Sequence, residues 1–257
     1  MSESKNSIVI TGASSGLGAA LAIKLAGPGR VLALIGRDQA RLEGTAILCR
    51  AKGAECVVAT FDLRDRPRME AFLSDLDSRY PIEFLVANAG IFMGRRSDEL
   101  IESEENARAV LEINLIATVD LVNAVLPCLL NRKRGRILIL ASLAGLFPLP
   151  DAAAYSASKS SLLSFGLALR GAVASEGVSV VVACPGYVTT PMVANHRGAR
   201  PGEVPLDAAV EKIIKGVEKN RAVIAFPLHL FLLGRLFLLF PERIRRQVTM
   251  LMRFHFS

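Results

Sequence analysis

A chain of 257 residues, 51% hydrophobic and 21% charged with no low-complexity tract, has the makeup of an ordered globular protein with a sizeable core. Its formal charge of +7 does not read as a nucleic-acid surface: six arginines against one acid, Glu242, put +5 between Arg221 and Ser257, the most apolar part of the chain, and leave +2 on the other 220 residues. Cys49, Cys56, Cys128 and Cys184 form no CxxC pair and only three histidines are present, so a zinc site is not expected and the cysteines fit small hydrophobes in a reducing compartment.

The polar start, Met1 to Asn6, contains no apolar signal core and predicts no cleaved leader. Six short β-branched or apolar runs follow, at Ser7–Thr11, Arg30–Ile35, Ala54–Thr60, Ile82–Ala87, Gly135–Ala141 and Ser179–Cys184. Stretches with helical spacing lie between them, for example Leu17, Leu21, Leu25 and Met69, Phe72, Leu73, Leu76. Asp38 suits the N-cap of the second helix and Pro67 the first turn of the third. Strands this continuously apolar are buried on both faces, which requires a parallel sheet between helices. A seventh run, Ala222–Phe226, is halted by Pro227. The expected fold is α/β: one Rossmann-type domain over residues 1–226, a doubly wound parallel sheet of about seven strands with helices on both faces. Residues 227–257 are expected as a hydrophobic, basic helical extension. Ligands of such a sheet bind beyond the carboxyl ends of its strands, so the residues just after each strand are the informative ones.

After the first strand, Thr11-Gly12-Ala13-Ser14-Ser15-Gly16-Leu17-Gly18 places three glycines where a backbone can turn tightly and approach a pyrophosphate at a helix N-terminus. By itself such a turn equally serves close helix–strand packing. After the second strand comes Gly36-Arg37-Asp38. An acid at Gly36 would accept from both ribose hydroxyls and select NAD; glycine cannot, and Arg37 can pair with a 2′-phosphate, which points to NADP(H). Asp62, with Leu63 beside it, is placed to reach an adenine amino group. Asn88-Ala89-Gly90 supplies small residues where a backbone must pass close to the cofactor. Ser142 follows the fifth strand, and Tyr155 and Lys159, four apart, share one face of the next helix.

In this order and spacing the sequence resembles the short-chain dehydrogenase/reductase family over roughly residues 5 to 220. The family's glycine motif matches Gly12, Gly16 and Gly18, its NAG motif Asn88 to Gly90, and its active-site tetrad Asn114, Ser142, Tyr155 and Lys159. Its Pro-Gly segment and following threonine match Pro185, Gly186 and Thr190, with Val188 between them. The resemblance implies hydride transfer between NADP(H) and a carbonyl or alcohol carbon, with Tyr155 as acid/base and Ser142 bonded to the substrate oxygen. It further implies that Lys159 holds the nicotinamide ribose, that the main-chain carbonyl of Asn114 holds a relay water, and that the protein is a homodimer or homotetramer. A tyrosine titrates near 10, and an ammonium about 4 Å away could supply the roughly 4 kcal/mol that brings it near 7. A non-catalytic NADP sensor is the rival reading; the presence of both Tyr155 and Lys159 speaks against it.

The tail departs from the family pattern. Ala222 to Phe240 holds 15 apolar residues of 19, but with the seventh strand removed Leu228–Phe240 makes only about 20 Å of helix against about 30 Å of hydrocarbon. Beyond Pro241, Ile244, Val248, Leu251 and Met252 keep helical spacing, with Arg243, Arg245, Arg246 and Arg253 largely off that stripe. Two readings stand side by side: residues 228–256 contact a membrane surface, or they cover the substrate cleft or a subunit interface. The expectation is a cytoplasmic enzyme, associated with a membrane surface on the first reading, acting on a hydrophobic or lipid-like carbonyl compound; reduction of small soluble carbonyls is the alternative. The segment from Tyr187 to Pro205, expected as the cleft's lid, has no pattern that translates into a ligand shape.

Overall fold

Alternate residues of each strand enter opposite cores. Val9, Ile35, Leu85, Ile137, Ile139 and Val182 belong to one buried cluster, while Ile10, Leu34, Val86, Leu138, Leu140 and Val181 belong to another on the other face. The period of two, applied to strands with no polar face, is what forces helices onto both sides of the sheet. A computed structural model describes residues 5–193, 196–237, 239–251 and 253–256 of the chain. Of the residues singled out above, Met1–Ser4, Ala194 and Asn195 of the lid segment, Leu238, Met252 and Ser257 lie outside that set.

The strands are β1 (Ser7–Thr11), β2 (Val31–Gly36), β3 (Glu55–Thr60), β4 (Ile82–Ala87), β5 (Gly135–Leu140), β6 (Val178–Pro185) and β7 (Val223–Phe226). They form one parallel sheet in the order 3-2-1-4-5-6-7. All seven expected strands are present, with ends displaced by about a residue. Gly36 still pairs with Thr60 and Pro185 with Phe226, whereas Arg30, Ala54 and Ala222 fall just before their strands and Ala141 just after.

The helices are α1 (Gly16–Leu25), α2 (Gln39–Arg50), α3 (Arg66–Arg79), α4 (Glu104–Leu111), α5 (Ala117–Asn131), α6 (Ala153–Ala172) and α7 (Leu206–Glu218). Asp38 caps α2 by accepting from the Arg41 N–H, and Pro67 sits in the first turn of α3. Between α4 and α5 the helix widens into a π turn, Glu112–Ile116, which contains Asn114. The tail forms α8 (Leu228–Phe237) and α9 (Glu242–Leu251). The first of these is shorter than the expected 228–240. The N–H groups of Leu239 and Phe240 turn back to the carbonyls of Leu236 and Phe237, since a residue ahead of a proline, here Pro241, is disfavoured in helical conformation.

Candidate active site

The chain reverses direction across the sheet between β1 and its neighbour β4, and a cleft of about 660 Å³ opens beyond their carboxyl ends. Every site residue expected from the sequence lines it except Asn114, which lies directly behind its wall.

The glycine turn is built against β4. Asn88 donates from Nδ2 to the Thr11 carbonyl at 2.9 Å, and the Thr11 hydroxyl accepts from the N–H groups of Asn88 and Ala89, each at 3.1 Å. Gly12 and Gly16 occupy the left-handed region, with φ of +65° and +54°. A Cβ at Gly18 would lie 2.2 Å from the Gly12 carbonyl oxygen, so no side chain fits there. This packing leaves Ser14, Ser15, Gly16 and Leu17 facing the cleft at the N-terminus of α1, where Ser15 makes no side-chain cap. A cradle of small residues with uncapped backbone N–H groups fits a dinucleotide pyrophosphate.

Arg37 lines the adjoining end of the cleft, and so does Arg41, one turn into α2 and 3.1 Å from Asp38. Arg41, four residues after Arg37, has no sequence signature of its own, because an arginine in the first turn of a helix is ordinary until the cleft beside it is seen. Asp62 and Leu63 are in place, but the Asp62 carboxylate is not an open acceptor: Arg64 holds it with its backbone N–H at 3.0 Å and its guanidinium at 2.8 and 3.1 Å. Those contacts hold the Asp62 carboxyl below its ordinary value.

At the other end Ser142, Tyr155 and Lys159 meet. Ser142 caps the short 3-10 turn Leu143–Gly145 by accepting from Ala144 N–H at 3.1 Å, and its hydroxyl lies 3.3 Å from the Pro185 carbonyl. A Cβ at Gly145 would sit 2.8 Å from the backbone of α6 at Lys159, so this glycine sets how closely Ser142's turn approaches the helix carrying Tyr155. The α6 N-terminus has no side-chain cap from Ala152; Glu102, 52 residues earlier, accepts from Ala154 N–H at 2.6 Å instead. Asn114 is fully buried, exchanging hydrogen bonds with both the N–H (2.7 Å) and the carbonyl (2.9 Å) of Ile91. Its side chain thereby fixes the strand-end backbone after Gly90, and its π turn is a local widening of the long helical stretch expected at this position.

The electrostatics correct the sequence expectation of an acidified phenol. Burial pushes Tyr155 up to about 12; the hydroxyl of Ser142 pulls the other way and neighbouring Tyr187 adds to the rise. Lys159 does not offset this, because its ammonium donates to the Leu140 carbonyl at 2.9 Å and stands 5.7 Å from the centroid of the Tyr155 ring. Burial also brings Lys159 down to about 8. Cys184, fully buried nearby, is pushed up to about 12 by burial and stays an inert small hydrophobe.

Beyond Tyr155 the cleft is apolar, lined by Phe92, Phe147, Leu149 and Met192, and by Leu230 and Leu233 of α8 and Val248 of α9. Gly234 and Phe237 seat α8 on Phe147, the two phenyl rings 5.5 Å apart. Of the two readings of the tail, cover over the cleft is therefore realised by these residues. The end of the tail is tied down twice. Residues 255–256 pair antiparallel with 196–197 of the lid segment, and Phe254 is buried against Phe92, which packs at a tilt on Tyr155 with ring centroids 4.5 Å apart. Neither tie has a sequence signature, since both join segments far apart in the chain.

The short chain dehydrogenase family model matches residues 6–201. The ketoacyl reductase HetN of Nostoc sp. is 33% identical over 196 residues, covering 76% of this chain and 68% of its own length. A short-chain dehydrogenase from Sphingobium yanoikuyae, solved in complex with NADPH, superposes with a TM-score of 0.78 at 26% identity, covering 96% of both chains. An actinorhodin polyketide ketoreductase variant solved with NADPH gives 0.76 at 27% identity, over 86% of this chain and 95% of its own. The chain is a member of the short-chain dehydrogenase/reductase family, an oxidoreductase of CH–OH and C=O groups that uses a nicotinamide cofactor.

Proposed function

We propose that the protein is an NADPH-dependent reductase of hydrophobic carbonyl compounds, with Tyr155 as the proton donor. The observation that carries this reading is the position of Tyr155, at the junction between the glycine cradle and the apolar end of one continuous cleft. Arg37 and Arg41 at the far end supply two guanidinium groups suited to a 2′-phosphate. The use of NADPH by the two structural relatives is consistent with that choice.

When bound, the reduced nicotinamide supplies hydride to the carbonyl carbon. The protein's part is to manage the oxygen. A phenol held at about 12 is protonated at neutral pH, the form in which it can donate to a carbonyl oxygen. Tyr155 gives its proton to the carbonyl oxygen as negative charge develops there. The Ser142 hydroxyl, which caps the Leu143–Gly145 turn and lies 3.3 Å from the Pro185 carbonyl, can turn to donate to the same oxygen. Lys159 is an ammonium below about pH 8, held on the Leu140 carbonyl 5.7 Å from the centroid of the Tyr155 ring, where it lines the same cleft. Phe92, Phe147 and Leu233 exclude water and select an apolar substrate.

Following NADPH consumption across ketones of graded chain length tests this reading. Turnover that rises with chain length and falls by about 10²–10⁴-fold in Tyr155→Phe is expected. A flat or falling profile would assign the site to small soluble carbonyls, and a Phe variant that retains more than a few per cent of the rate would remove Tyr155 from its role.

A further inference from the structure

The two tail helices close the cleft with one face and leave another uncovered. On α8 the most exposed apolar residues are Leu228, Leu232 and Leu236, at 63%, 54% and 51% exposure, with Leu239 at 77% just beyond. Their spacing of four, four and three keeps them on one stripe, opposite the buried Gly234 and Phe237. Isolated apolar side chains on a surface are ordinary, but four leucines in one row are not. On α9, Ile244 and Met250 are likewise exposed.

The cations of these helices are unusual too. Most arginines of the core domain have acidic partners, for example Arg64 with Asp62, Arg66 with Glu70 and Arg132 with Asp77. In the tail Arg245 pairs with Glu242, whereas Arg235, Arg243 and Arg246 have no acidic partner among the described residues. Arg235 lies over the Phe231 ring instead, its guanidinium carbon 5.6 Å from the centroid. The same short segment thus carries both the longest exposed apolar row and uncompensated positive charge.

We infer that the outer face of α8 and α9 docks on the surface of an anionic lipid bilayer. A bilayer satisfies both features at once: acyl chains take the leucine row, and lipid phosphates pair with Arg235, Arg243 and Arg246 at headgroup level. The ten residues of α8 make about 15 Å of helix, half of the hydrocarbon thickness, so the segment lies in the interface. A second copy of the chain fits less well, since a two-fold contact through this face would bring its unpaired positive charge against itself. Leu233 is 43% exposed and also lines the cleft, so the docking face reaches the cleft mouth. Docking itself does not depend on the proposed activity; only its consequence, direct access of bilayer-dissolved carbonyl compounds to Tyr155, rests on that reading.

The test is flotation of the full-length protein with vesicles of phosphatidylcholine alone or mixed with phosphatidylglycerol. Co-flotation with the anionic vesicles is expected, weakening as salt shortens the Debye length from about 10 Å at 0.1 M to about 3 Å at 1 M. Arg243→Glu/Arg246→Glu should lower the partition coefficient by more than tenfold, each lost arginine alone accounting for about fivefold. Leu232→Asp/Leu236→Asp should abolish flotation while leaving turnover of a water-soluble ketone unchanged. The inference is overturned if the protein stays in the aqueous fraction with anionic vesicles, or floats equally with both vesicle types. It is equally overturned if light scattering shows a dimer that Leu232→Asp/Leu236→Asp dissociates. An inactive protein that still floats would count against the reductase reading alone.

Discussion

Asp151 accepts a 2.7 Å hydrogen bond from the backbone N–H of Phe254, 103 residues further along the chain. Its carboxylate, 1% exposed, also holds Arg95 and, at 3.2 Å, Arg253. One buried acid therefore ties the loop after β4, the approach to α6 and the end of the tail into a single wall beside Tyr155.

Asp151→Ala should cost about 3 kcal/mol of stability, because it strands two partly buried guanidinium groups and an amide donor. Phe254→Ala leaves the carboxylate cluster intact and is the cleaner probe of the wall. It is expected to raise KM for the carbonyl substrate several-fold with little change in NADPH affinity; equal weakening of both would mean the tail acts on the whole cleft. Burial alone would raise the Asp151 carboxyl, but the Phe254 N–H, Arg95 and Arg253 outweigh it and hold it below its ordinary value. A lowered carboxyl stabilises the fold at pH values above its unfolded pKa, near 4, and loses that contribution as pH falls through the folded value. The latch should thus be closed throughout the neutral range and open only in acid, which tail-directed proteolysis against pH would follow.

What the sequence disclosed divides along a physical line. Strands with no polar face can only be central, so Val31–Gly36 and Ile82–Ala87 announce the parallel sheet, and Gly12, Gly16 and Gly18 announce its crevice by local spacing. Tyr155 and Lys159 are legible because one helix face carries both. Asp151, Glu102 and Phe254 are not, since each gains its role from a partner brought close only by folding, and Arg41 is not because only the folded cleft places it at the same end as Arg37. The acidity of Tyr155 is not legible for a related reason. Sequence spacing says that an ammonium is near but not that Leu140's carbonyl claims it, nor how far burial penalises a phenolate.

Gly18 offers a steric test of the cradle. Adding a methyl group there would press on the Gly12 carbonyl at 2.2 Å and on Asn88 Nδ2 at 2.5 Å, both held by the β1–β4 hydrogen bonds. Gly18→Ala should therefore cost about 1–3 kcal/mol and weaken NADPH binding by more than tenfold. Gly44→Ala, where nothing lies within 4 Å of the added atom, should instead stabilise α2 by about 0.5–1 kcal/mol with unchanged affinity. Fluorescence titration with NADPH and thermal melts of both variants make the comparison.

Coenzyme choice should be divided between Arg37 and Arg41. A charge-assisted hydrogen bond is worth about 1.5–3 kcal/mol, so Arg37→Ala should weaken NADPH by roughly 10–100-fold and leave NADH nearly unaffected. Arg41 is shared with Asp38, which also caps α2, so Arg41→Ala is expected to have the smaller effect. Arg37→Asp should reverse the preference. An unchanged NADPH/NADH ratio in kcat/KM would show that the 2′-phosphate is held elsewhere.

Lys159 should be costly to the fold it serves. Burial lowers it from 10.5 to about 8, a displacement corresponding to roughly 3 kcal/mol, and at 5% exposure little solvent screening softens that penalty. Below about pH 8 the lysine is charged in both folded and unfolded chains, and the folded protein bears the whole cost of the buried ammonium. Between about 8 and 10.5 the folded form releases its proton first, so stability rises with pH, and above that range the cost is gone. Lys159→Met keeps the volume without the charge. Its melting temperature should exceed that of the parent at pH 7, and the gap should close as pH approaches 10.5, while turnover falls by at least about 100-fold. A variant less stable than the parent at pH 7 would mean that the 2.9 Å bond to the Leu140 carbonyl repays the ammonium in full, and that this residue was never held at a cost.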